Sequence, residues 1–314
     1  MEINSLSWEP LTEENIHQVW EMCEKNVRCM SRSFDTFSKA SIKSDLFNPA
    51  LSVVAKDAQD NVAAFFMAVL RRSNLLRNKR KVAVLKFFVV EKAWQYKGLG
   101  TRLFHHLYEK IKNSELKCWR MKFEVLTSQP DYWLPGLNPK HTEAYFFLKK
   151  MGFKKKGERI NLCVDLDTLP QMPPPPEHKG YSISRASMED MDELVPLKFM
   201  NKGYQLSFWP EETALTFKND PITSFIARNA QGKIVGWASH SIHFPGAFGP
   251  TGVKRSERGQ GLGGVLLDWC LWDIKQMGIK TAKIMWVEGD TVYFYLKARG
   301  AIICEFFWPM RRRI

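Results

Sequence analysis

Two glycine-rich segments have the residue types and the spacing that could hold a phosphate. The first is Gln95-Tyr96-Lys97-Gly98-Leu99-Gly100-Thr101, and the second is Arg258-Gly259-Gln260-Gly261-Leu262-Gly263-Gly264. Glycine lets the backbone approach an anion closely and turn sharply into a helix. Free N–H groups and the positive end of the helix dipole then attract phosphate oxygens. We therefore expect an anion-binding turn at a helix start in each segment.

The two segments are copies of one pattern, because four positions match without a gap. Each residue of the second set lies 163 residues after its counterpart in the first: Val90 and Val253, Gln95 and Arg258, Gly98 and Gly261, Gly100 and Gly263. Such a repeat indicates two similar structural units. The run Val82–Val90 before the first segment is almost continuously apolar, which is typical of a strand buried on both faces.

The elements around each segment follow one order. Several strands precede the segment, a helix begins within it, and a strand, a short helix and further strands come after. Between the halves, four consecutive prolines, Pro173–Pro176, hold the backbone extended. We predict an N-terminal domain of residues 1–167, a proline-rich linker of residues 168–180 and a C-terminal domain of residues 181–314. The predicted fold class is α+β, with a mixed, mostly antiparallel central sheet flanked by helices in each domain.

The bulk composition is that of an ordinary globular protein. The chain has 314 residues, of which 45% are hydrophobic and 25% are charged. We expect neither a membrane span, which needs roughly 18 apolar residues, nor a secretory leader. Six cysteines without CxxC spacing predict reduced thiols, with no disulfide framework and no metal site. A cytoplasmic location is therefore expected. The cysteines are Cys23, Cys29, Cys118, Cys163, Cys270 and Cys304.

The net charge is +13, and residues 71–81 carry six basic side chains and no acidic one. Such a segment could attract a polyanion, or it could be the solvated tip of a hairpin. The sequence has no RRM, KH or zinc element, so we do not expect a nucleic-acid partner.

The pattern [QR]-x-x-G-x-[GA], between a buried strand and a helix, resembles the acetyl-CoA-binding signature of the GCN5-related N-acetyltransferase (GNAT) superfamily. The segment Ala144–Phe153, which ends in Gly152-Phe153, is similar to that family's second motif. The resemblance implies a tandem, bacterial-type member whose two domains bind acetyl-CoA or another short acyl-CoA. The implied coenzyme-binding residues are Phe88, Val90, Gln95, Tyr96, Lys97, Gly98, Leu99, Gly100, Thr101, Val253, Arg258, Gly259, Gln260, Gly261, Leu262, Gly263 and Gly264. The second segment is the better match, since it has four glycines.

Two other interpretations of the glycines remain. Gly259-x-Gly261-x-x-Gly264 also fits the dinucleotide-binding fingerprint, but that fingerprint follows the first strand of a βαβ unit. This segment follows about four strands, and in the first copy the run Gly98-x-Gly100-x-x ends at Leu103 where the fingerprint requires a third glycine. Alternatively, the glycines only form tight helix entries, although the repeat argues against this for both copies.

The resemblance implies direct acyl transfer in a ternary complex. The protein positions an amine, removes its proton and stabilises the tetrahedral oxyanion with strand N–H groups. In the family, a tyrosine four residues before the glycine of the second motif usually protonates the departing thiolate. Leu148 and Leu296 occupy that position here. The neighbouring Tyr295 is therefore the candidate acid, but the turn of about 100° per helix residue favours a buried packing tyrosine instead.

Two glutamates are candidate bases, because each lies on the strand after a phosphate-loop helix. They are Glu124 and Glu288, and either could instead be an acidic residue on the polar face of a strand. The predicted activity is acyl-CoA-dependent N-acyl transfer, most simply N-acetyl transfer. The alternative is an acyl-CoA-binding scaffold or sensor in which one or both halves are silent.

The expected acceptor is a small-molecule or peptide amine, and the chain is expected to be a monomer or a homodimer. Residues after the first strand of each half suggest an aromatic, partly basic acceptor pocket. They are Arg28, Met30, Arg32, Phe34, Tyr204, Phe208 and Trp209.

Overall fold

A computed structural model describes residues 2–28, 32–72, 81–114, 121–205 and 207–314. Cys29, Met30, Cys118 and residues 73–80 of the basic segment lie outside the described residues. The strands, in chain order, are β1 Ser7–Glu9, β2 Ser52–Lys56, β3 Val62–Arg72, β4 Lys81–Val90, β5 Lys122–Val125, β6 Lys154–Lys155, β7 Arg159–Asp165, β8 Glu177–His178, β9 Tyr181–Arg185, β10 Ser224–Arg228, β11 Ile234–His240, β12 Ala247–Val253, β13 Thr281–Val287, β14 Ile302–Phe307 and β15 Met310–Arg313. The helices are α1 Ile16–Asn26, α2 Phe34–Ala40, α3 Leu99–Lys112, α4 Thr142–Lys150, α5 Met191–Leu194, α6 Lys202–Gln205, α7 Trp209–Thr216, α8 Leu262–Gln276 and α9 Thr291–Arg299.

The chain forms two compact units that exchange strands. Unit 1 contains Met1–Glu158 and Phe307–Ile314, and unit 2 contains Arg159–Phe306. These units divide the chain differently from the predicted domains 1–167 and 181–314. The reason is hydrogen bonding: β7 pairs with β13 in unit 2, whereas β15 pairs with β5 and β6 in unit 1. Each unit therefore has one strand from the other half of the sequence.

The sheet of unit 1 has the strand order β1-β2-β3-β4-β5-β15-β6. Its pairs are antiparallel except for β4 and β5, which are parallel. The parallel pairing ends at Leu85 and Val125, so that residues 86–90 of β4 extend beyond β5. The register with β3 also shifts between Met67 and Ala68, which leaves Lys86 as an extra, bulged residue. The two central strands thus diverge at their C-terminal ends.

Aromatic side chains of β4 show which helices cover each face of this sheet. Phe87 packs against Phe37 of α2, and the next residue, Phe88, packs against Phe147 of α4. Successive strand residues point to opposite faces, so α2 and α4 lie on opposite sides. Helix α3 lies on the α4 side, where Phe104 contacts Phe147. Its buried residues recur at helical spacing and are Leu99, Leu103, Phe104, Leu107 and Ile111.

The sheet of unit 2 repeats this plan, with the order β14-β7-β13-β12-β11-β10-β9-β8. Strands β12 and β13 are its parallel pair, joined at Ala247–Lys283 and Phe248–Ile284. Helix α8 buries Leu266, Leu267 and Cys270 against the sheet. Both units therefore have a mixed, mostly antiparallel sheet with flanking helices, which confirms the predicted α+β class.

A disulfide joins Cys163 on β7 to Cys304 on β14, so the prediction that all cysteines are reduced was wrong for this pair. The two strands are neighbours in the sheet, which brings the Cα atoms to 5.8 Å, a separation that suits a disulfide. Spacing along the sequence could not show this, because 141 residues separate the cysteines. Disulfides are rare in cytosolic proteins, so the thiol argument for a cytoplasmic location no longer holds. Within the described part of the chain, no helix is both long and apolar enough to cross a bilayer.

Candidate active site

The glycine loop of unit 1 begins α3 in the predicted manner. Gly98 is the N-cap of the helix and has φ +91°, a left-handed conformation that strongly favours glycine. The side-chain amide of Gln95 donates a hydrogen bond to the carbonyl of Val90 at 2.8 Å, which fixes the loop to the end of β4. The first-turn N–H groups of Leu99, Gly100 and Thr101 have no acceptor within the helix. These amides form a ready site for an anion.

A cleft of about 600 Å³ opens beside this loop. It follows the part of β4 that extends beyond β5, and residues at the end of α1 and along α4 also line it. Phe66, Phe88 and Phe147 form an apolar floor, with Phe88 and Phe147 stacked at 6.3 Å between ring centroids. The remaining lining residues are Asn26, Val27, Val89, Val90, Trp94, Gln95, Tyr96, Gly98, Gly100, Thr101, His141, Thr142, Glu143, Ala144, Phe146 and Lys150.

Every lining residue of this cleft is among the described residues of unit 1. Its end at the α3 loop offers backbone N–H groups, and its floor offers aromatic surface. An elongated molecule with a phosphate group and an apolar arm suits such a surface. Of the predicted coenzyme-binding residues in this half, Phe88, Val90, Gln95, Tyr96, Gly98, Gly100 and Thr101 line the cleft. Lys97 and Leu99 do not: Leu99 is buried in the core, and the Lys97 ammonium lies 5.7 Å from the centroid of the Trp94 ring.

The loop of unit 2 has nearly the same backbone geometry. Gly261 is the N-cap of α8 with φ +86°, and Nε of Arg258 donates to the carbonyl of Val253 at 3.2 Å. Arg258 thus makes the same strand-end contact as Gln95. Its Nη2 also donates to the Tyr204 hydroxyl at 3.1 Å. The match between the halves therefore extends from sequence to hydrogen bonding.

One side chain distinguishes the second loop from the first. His178, on β8, places Nε2 2.8 Å from the carbonyl oxygen of Gln260. A Cβ added at Gly261 would lie 3.1 Å from the same nitrogen, whereas one at Gly98 would meet only Ile3, at 3.9 Å. The imidazole therefore occupies space next to the helix start of α8. The corresponding space at the helix start of α3 belongs to the open cleft.

Glu124, a predicted base, lies on β5 in contact with two arginines. Arg311 approaches one carboxylate oxygen at 2.7 Å, and Arg71 approaches the other at 3.4 Å. The Thr127 hydroxyl also donates to it, at 3.2 Å. Glu124 is not among the residues that line the cleft. Its contacts are those of an acid that holds β5 and β15 together.

Glu288, the other predicted base, follows β13 in unit 2. Its side chain is 62% exposed and accepts a hydrogen bond from Nε1 of Trp286 at 2.9 Å. Arg159 lies 3.7 Å from the same carboxylate oxygen. An exposed acid held by these two partners stabilises the end of β13, where Trp286 has a left-handed φ of +51°.

Tyr295, the predicted acid, is buried in α9 with its ring edge-on to Phe248. Burial, with Cys270 nearby, raises the pKa of its hydroxyl. In unit 1 the buried residue of the matching helix is Leu148. In both units the residue just before the buried one packs against the second glycine of the loop. Phe147 contacts Gly100 in unit 1, and Phe294 contacts Gly263 in unit 2. By packing, Tyr295 therefore corresponds to Leu148, although counting back from the glycines pairs Leu148 with Leu296.

Two functional candidates were missed in the sequence. His141, the N-cap of α4, lines the cleft, and burial lowers the pKa of its imidazole. Lys86, at the β4 bulge, is fully buried with Nζ 2.9 Å from Asp131, and burial lowers its pKa although Asp131 opposes this change. Lys86 could have been identified from the sequence, because it is a lysine within the apolar run Val82–Val90. For His141 the sequence offered only its position just before a predicted helix.

Two helices that start at left-handed glycines, each after a strand that diverges from its parallel neighbour, define an acetyltransferase fold in each unit. The model of the acetyltransferase (GNAT) family matches residues 14–130 and 188–300. The chain therefore belongs to the acetyltransferase (GNAT) family, and it contains two such domains. Among curated protein sequences, none matches this chain.

Solved structures share this fold at low sequence identity. A GCN5-related N-acetyltransferase from Sphaerobacter thermophilus is 16% identical with a TM-score of 0.69, over 99% of this chain and 96% of that one. A tandem GNAT protein from the clavulanic acid biosynthesis pathway is 17% identical with a TM-score of 0.69, over 98% of both chains. The glucosamine N-acetyltransferase region of a fungal multi-domain β-N-acetylglucosaminidase is 16% identical with a TM-score of 0.75. That match covers 98% of this chain but only 38% of the fungal one.

Proposed function

We propose that this chain is an acyl-CoA-dependent N-acyltransferase that binds its coenzyme in the cleft of unit 1. The co-substrate is acetyl-CoA or another short acyl-CoA, and the acceptor is a small-molecule or peptide amine. The observation that carries the proposal is the cleft, which joins free first-turn amides at Gly98–Thr101 to an apolar floor beside the divergent end of β4. Membership of the acetyltransferase family supports the same activity.

The residues present suit a coenzyme with a pyrophosphate and a thioester arm. The amides of Gly100 and Thr101, which line the cleft, would hold phosphate oxygens, helped by the positive end of α3. The arm would lie along β4 over Phe88, where the strand has no β5 partner. The bound thioester supplies an activated acyl group. The tasks left to the protein are to orient the amine, remove its proton and stabilise the developing oxyanion.

In this proposal unit 2 has a structural role, because His178 takes the space beside Gly261. The sequence favoured the second loop for its four glycines, but glycine density does not show what lies in front of a loop. The contact between His178 and the Gln260 carbonyl is formed inside unit 2 and does not depend on unit 1.

The alternative is acyl-CoA binding without turnover, as in a scaffold or sensor. One observation favours it: in unit 1 the position expected for the acid tyrosine holds Leu148, which is buried. Neither Glu124 nor Glu288 lines the cleft. Catalysis in unit 1 therefore requires a group other than those three residues.

The proposal is tested by matched substitutions, Gly98→Asp and Gly261→Asp, in the full chain. Both glycines are left-handed helix N-caps, with φ +91° and +86°, so the backbone strain is nearly the same. A carboxylate about 5 Å from a phosphate charge costs about 3 kcal/mol at an effective dielectric of 20. In calorimetric titrations with acetyl-CoA, we expect one site per chain. We expect Gly98→Asp to weaken binding about 100-fold or more, and Gly261→Asp to change it less than threefold.

The opposite pattern, with binding lost in Gly261→Asp, would place the site in unit 2. Two sites per chain in the wild type would show that His178 does not close the second loop. Turnover is measured separately as release of free CoA thiol with an amine acceptor. Glucosamine is one probe, because the fungal relative carries a glucosamine N-acetyltransferase region. Binding of acetyl-CoA without thiol release from any amine would support the scaffold alternative.

A further inference from the structure

Two aromatic side chains that line the cleft of unit 1 leave most of their surface in solvent. Tyr96, in the glycine loop, is 92% exposed, and Phe146, on α4, is 59% exposed. The floor of the cleft is better protected, because Phe66 is buried and Phe88 and Phe147 are half-buried. The two exposed rings therefore mark the cleft mouth, the part of the cleft that is open to solvent. Exposed aromatic rings at such a place are candidates for contact with a ligand.

Tyr96 holds its exposed position with an unfavourable backbone. Its φ is +60°, in the left-handed region that favours glycine. The repeat offers a direct comparison, since the residue 163 positions later is Gly259, with φ +82°. Among the described residues, none forms a hydrogen bond or a ring contact with the Tyr96 side chain. The fold of the loop therefore does not account for a tyrosine here, and such backbone outliers concentrate at functional sites.

A single lysine accompanies these rings. Lys150 follows Phe146 by four residues on α4, which places both side chains on one face of the helix. It is exposed, and it is the only lysine or arginine among the described residues that line the cleft. Glu143, the one acidic residue among them, pairs with Arg28 at 3.4 Å and lies two helical turns from Lys150. The neighbouring Lys149 does not line the cleft.

We propose that Tyr96, Phe146 and Lys150 form a subsite for the nucleotide end of the coenzyme. This assignment rests on the proposed acyl-CoA function. With the pyrophosphate on the first-turn amides of α3 and the thioester arm on the apolar floor, the adenosine and its 3′-phosphate are the parts left for the mouth. Adenine stacks on tyrosine and phenylalanine rings, and a lysine ammonium pairs with a phosphate group. The subsite therefore selects free acyl-CoA over an acyl group carried on phosphopantetheine, which has neither adenine nor the 3′-phosphate.

The left-handed backbone of Tyr96 allows a substitution that separates binding from folding. Tyr96→Gly removes the ring and relieves the strain, so the variant should not unfold at a lower temperature than the wild type. In calorimetric titrations of the full chain, it should bind acetyl-CoA about tenfold more weakly. Its affinity for acetyl-phosphopantetheine, which lacks the nucleotide, should stay within about twofold of the wild type. Tyr96→Phe keeps a ring and should retain the affinity for acetyl-CoA.

The phosphate contact is tested with dephospho-acetyl-CoA, which lacks the 3′-phosphate, at low ionic strength. The wild type should bind acetyl-CoA about fivefold more tightly than the dephospho form. Lys150→Gln should abolish this preference and leave the affinity for the dephospho form unchanged. Lys149→Gln is the matched control, because Lys149 is also exposed on α4 but does not line the cleft, and it should keep the preference.

Several outcomes would overturn the subsite. Tyr96→Gly would exclude stacking if it bound acetyl-CoA like the wild type, or if it weakened acetyl-CoA and acetyl-phosphopantetheine equally. Equal affinity of the wild type for these two ligands would show that the mouth does not bind the nucleotide. A preference for the 3′-phosphate that survives in Lys150→Gln, or that both lysine variants lose, would exclude the role of Lys150. If the wild type binds none of the three ligands, the proposed function itself fails.

Discussion

Asp273 of α8 should make the stability of unit 2 depend on pH in the acid range. Its carboxylate accepts two hydrogen bonds from Arg185, at 2.9 and 2.5 Å. Nε2 of the fully buried His240 lies 2.9 Å from one carboxylate oxygen and must donate, since an ionised carboxylate only accepts. These contacts join the ends of β9 and β11 to α8. The perturbation to test is Asp273→Asn, which keeps the shape and removes the charge.

The magnitude follows from the lowered pKa of Asp273. Burial alone would raise this pKa, but the hydrogen bonds and charges of His240 and Arg185 outweigh burial and lower it from 3.8 to about 2. A tenfold change in proton affinity corresponds to about 1.4 kcal/mol, so the ionised carboxylate stabilises the fold by about 2 kcal/mol. Because the folded pKa is the lower one, this stabilisation is complete above pH 4 and is lost as pH falls towards 2.

The assay is urea unfolding of the full chain, followed by hydrogen exchange of peptides from α8 and β9–β11. Peptides from β3 and β4 report unit 1 and serve as an internal reference. At pH 7, Asp273→Asn should lower the free energy of unfolding of unit 2 by about 2 kcal/mol or more, because it also leaves Arg185 without its counter-charge. Between pH 4 and 2 the difference between wild type and variant should shrink.

Asp268→Asn is the matched control, on the same helix. Asp268 pairs with Arg299, yet burial outweighs that contact and raises its pKa. A raised pKa gives stabilisation at low pH that is lost as pH rises. The difference in the free energy of unfolding between wild type and Asp268→Asn should therefore change with pH in the opposite direction to that of Asp273→Asn. The reasoning is refuted if Asp273→Asn keeps a constant difference from wild type between pH 4 and 2, or if both variants give the same curve.

Two further predictions concern the residues that the sequence suggested for catalysis. Tyr295→Phe should lower kcat for acetyl transfer less than tenfold, because Tyr295 is buried in unit 2. A larger loss of kcat with unchanged coenzyme affinity would mean that the reaction takes place in unit 2 and that Tyr295 is the acid. Glu288→Gln should leave the pH profile of kcat/KM unchanged, because Glu288 is exposed and held by Trp286 and Arg159; a lost acid limb in this variant would restore Glu288 as the base.

The glycine loops could be predicted because their geometry is local. A left-handed helix start requires glycine, and the side chain three residues earlier needs only to reach the carbonyl at the end of the strand. Gly98 and Gly261 therefore adopt nearly the same φ, and Gln95 and Arg258 make equivalent contacts. A repeat of 163 residues preserves this short-range information in both halves.

The features that could not be predicted from the sequence depend on contacts between residues far apart in the chain. The sequence around His178 does not show that its side chain contacts a carbonyl 82 residues away, and that contact distinguishes the second glycine loop from the first. His141 lines the same cleft as the end of α1, which lies more than one hundred residues earlier in the chain. Residues 310–313 include three arginines and look like a polar tail, yet they complete a sheet because β5 and β6 leave a place for them. Such partners become visible only in three dimensions.

Because β7 and β15 each belong to the sheet of the other half of the sequence, the order of synthesis on the ribosome determines which sheet can be completed first. β15 emerges only after the whole of unit 2, so until then β5 of nascent unit 1 is paired on its β4 side alone and β6 has no partner strand. Unpaired strand edges bind other chains readily, so the nascent protein is prone to aggregation during this interval. Unit 2 already has β7 when its remaining strands appear. Its sheet can therefore close first, which reverses the usual order in which the N-terminal domain matures before its successor.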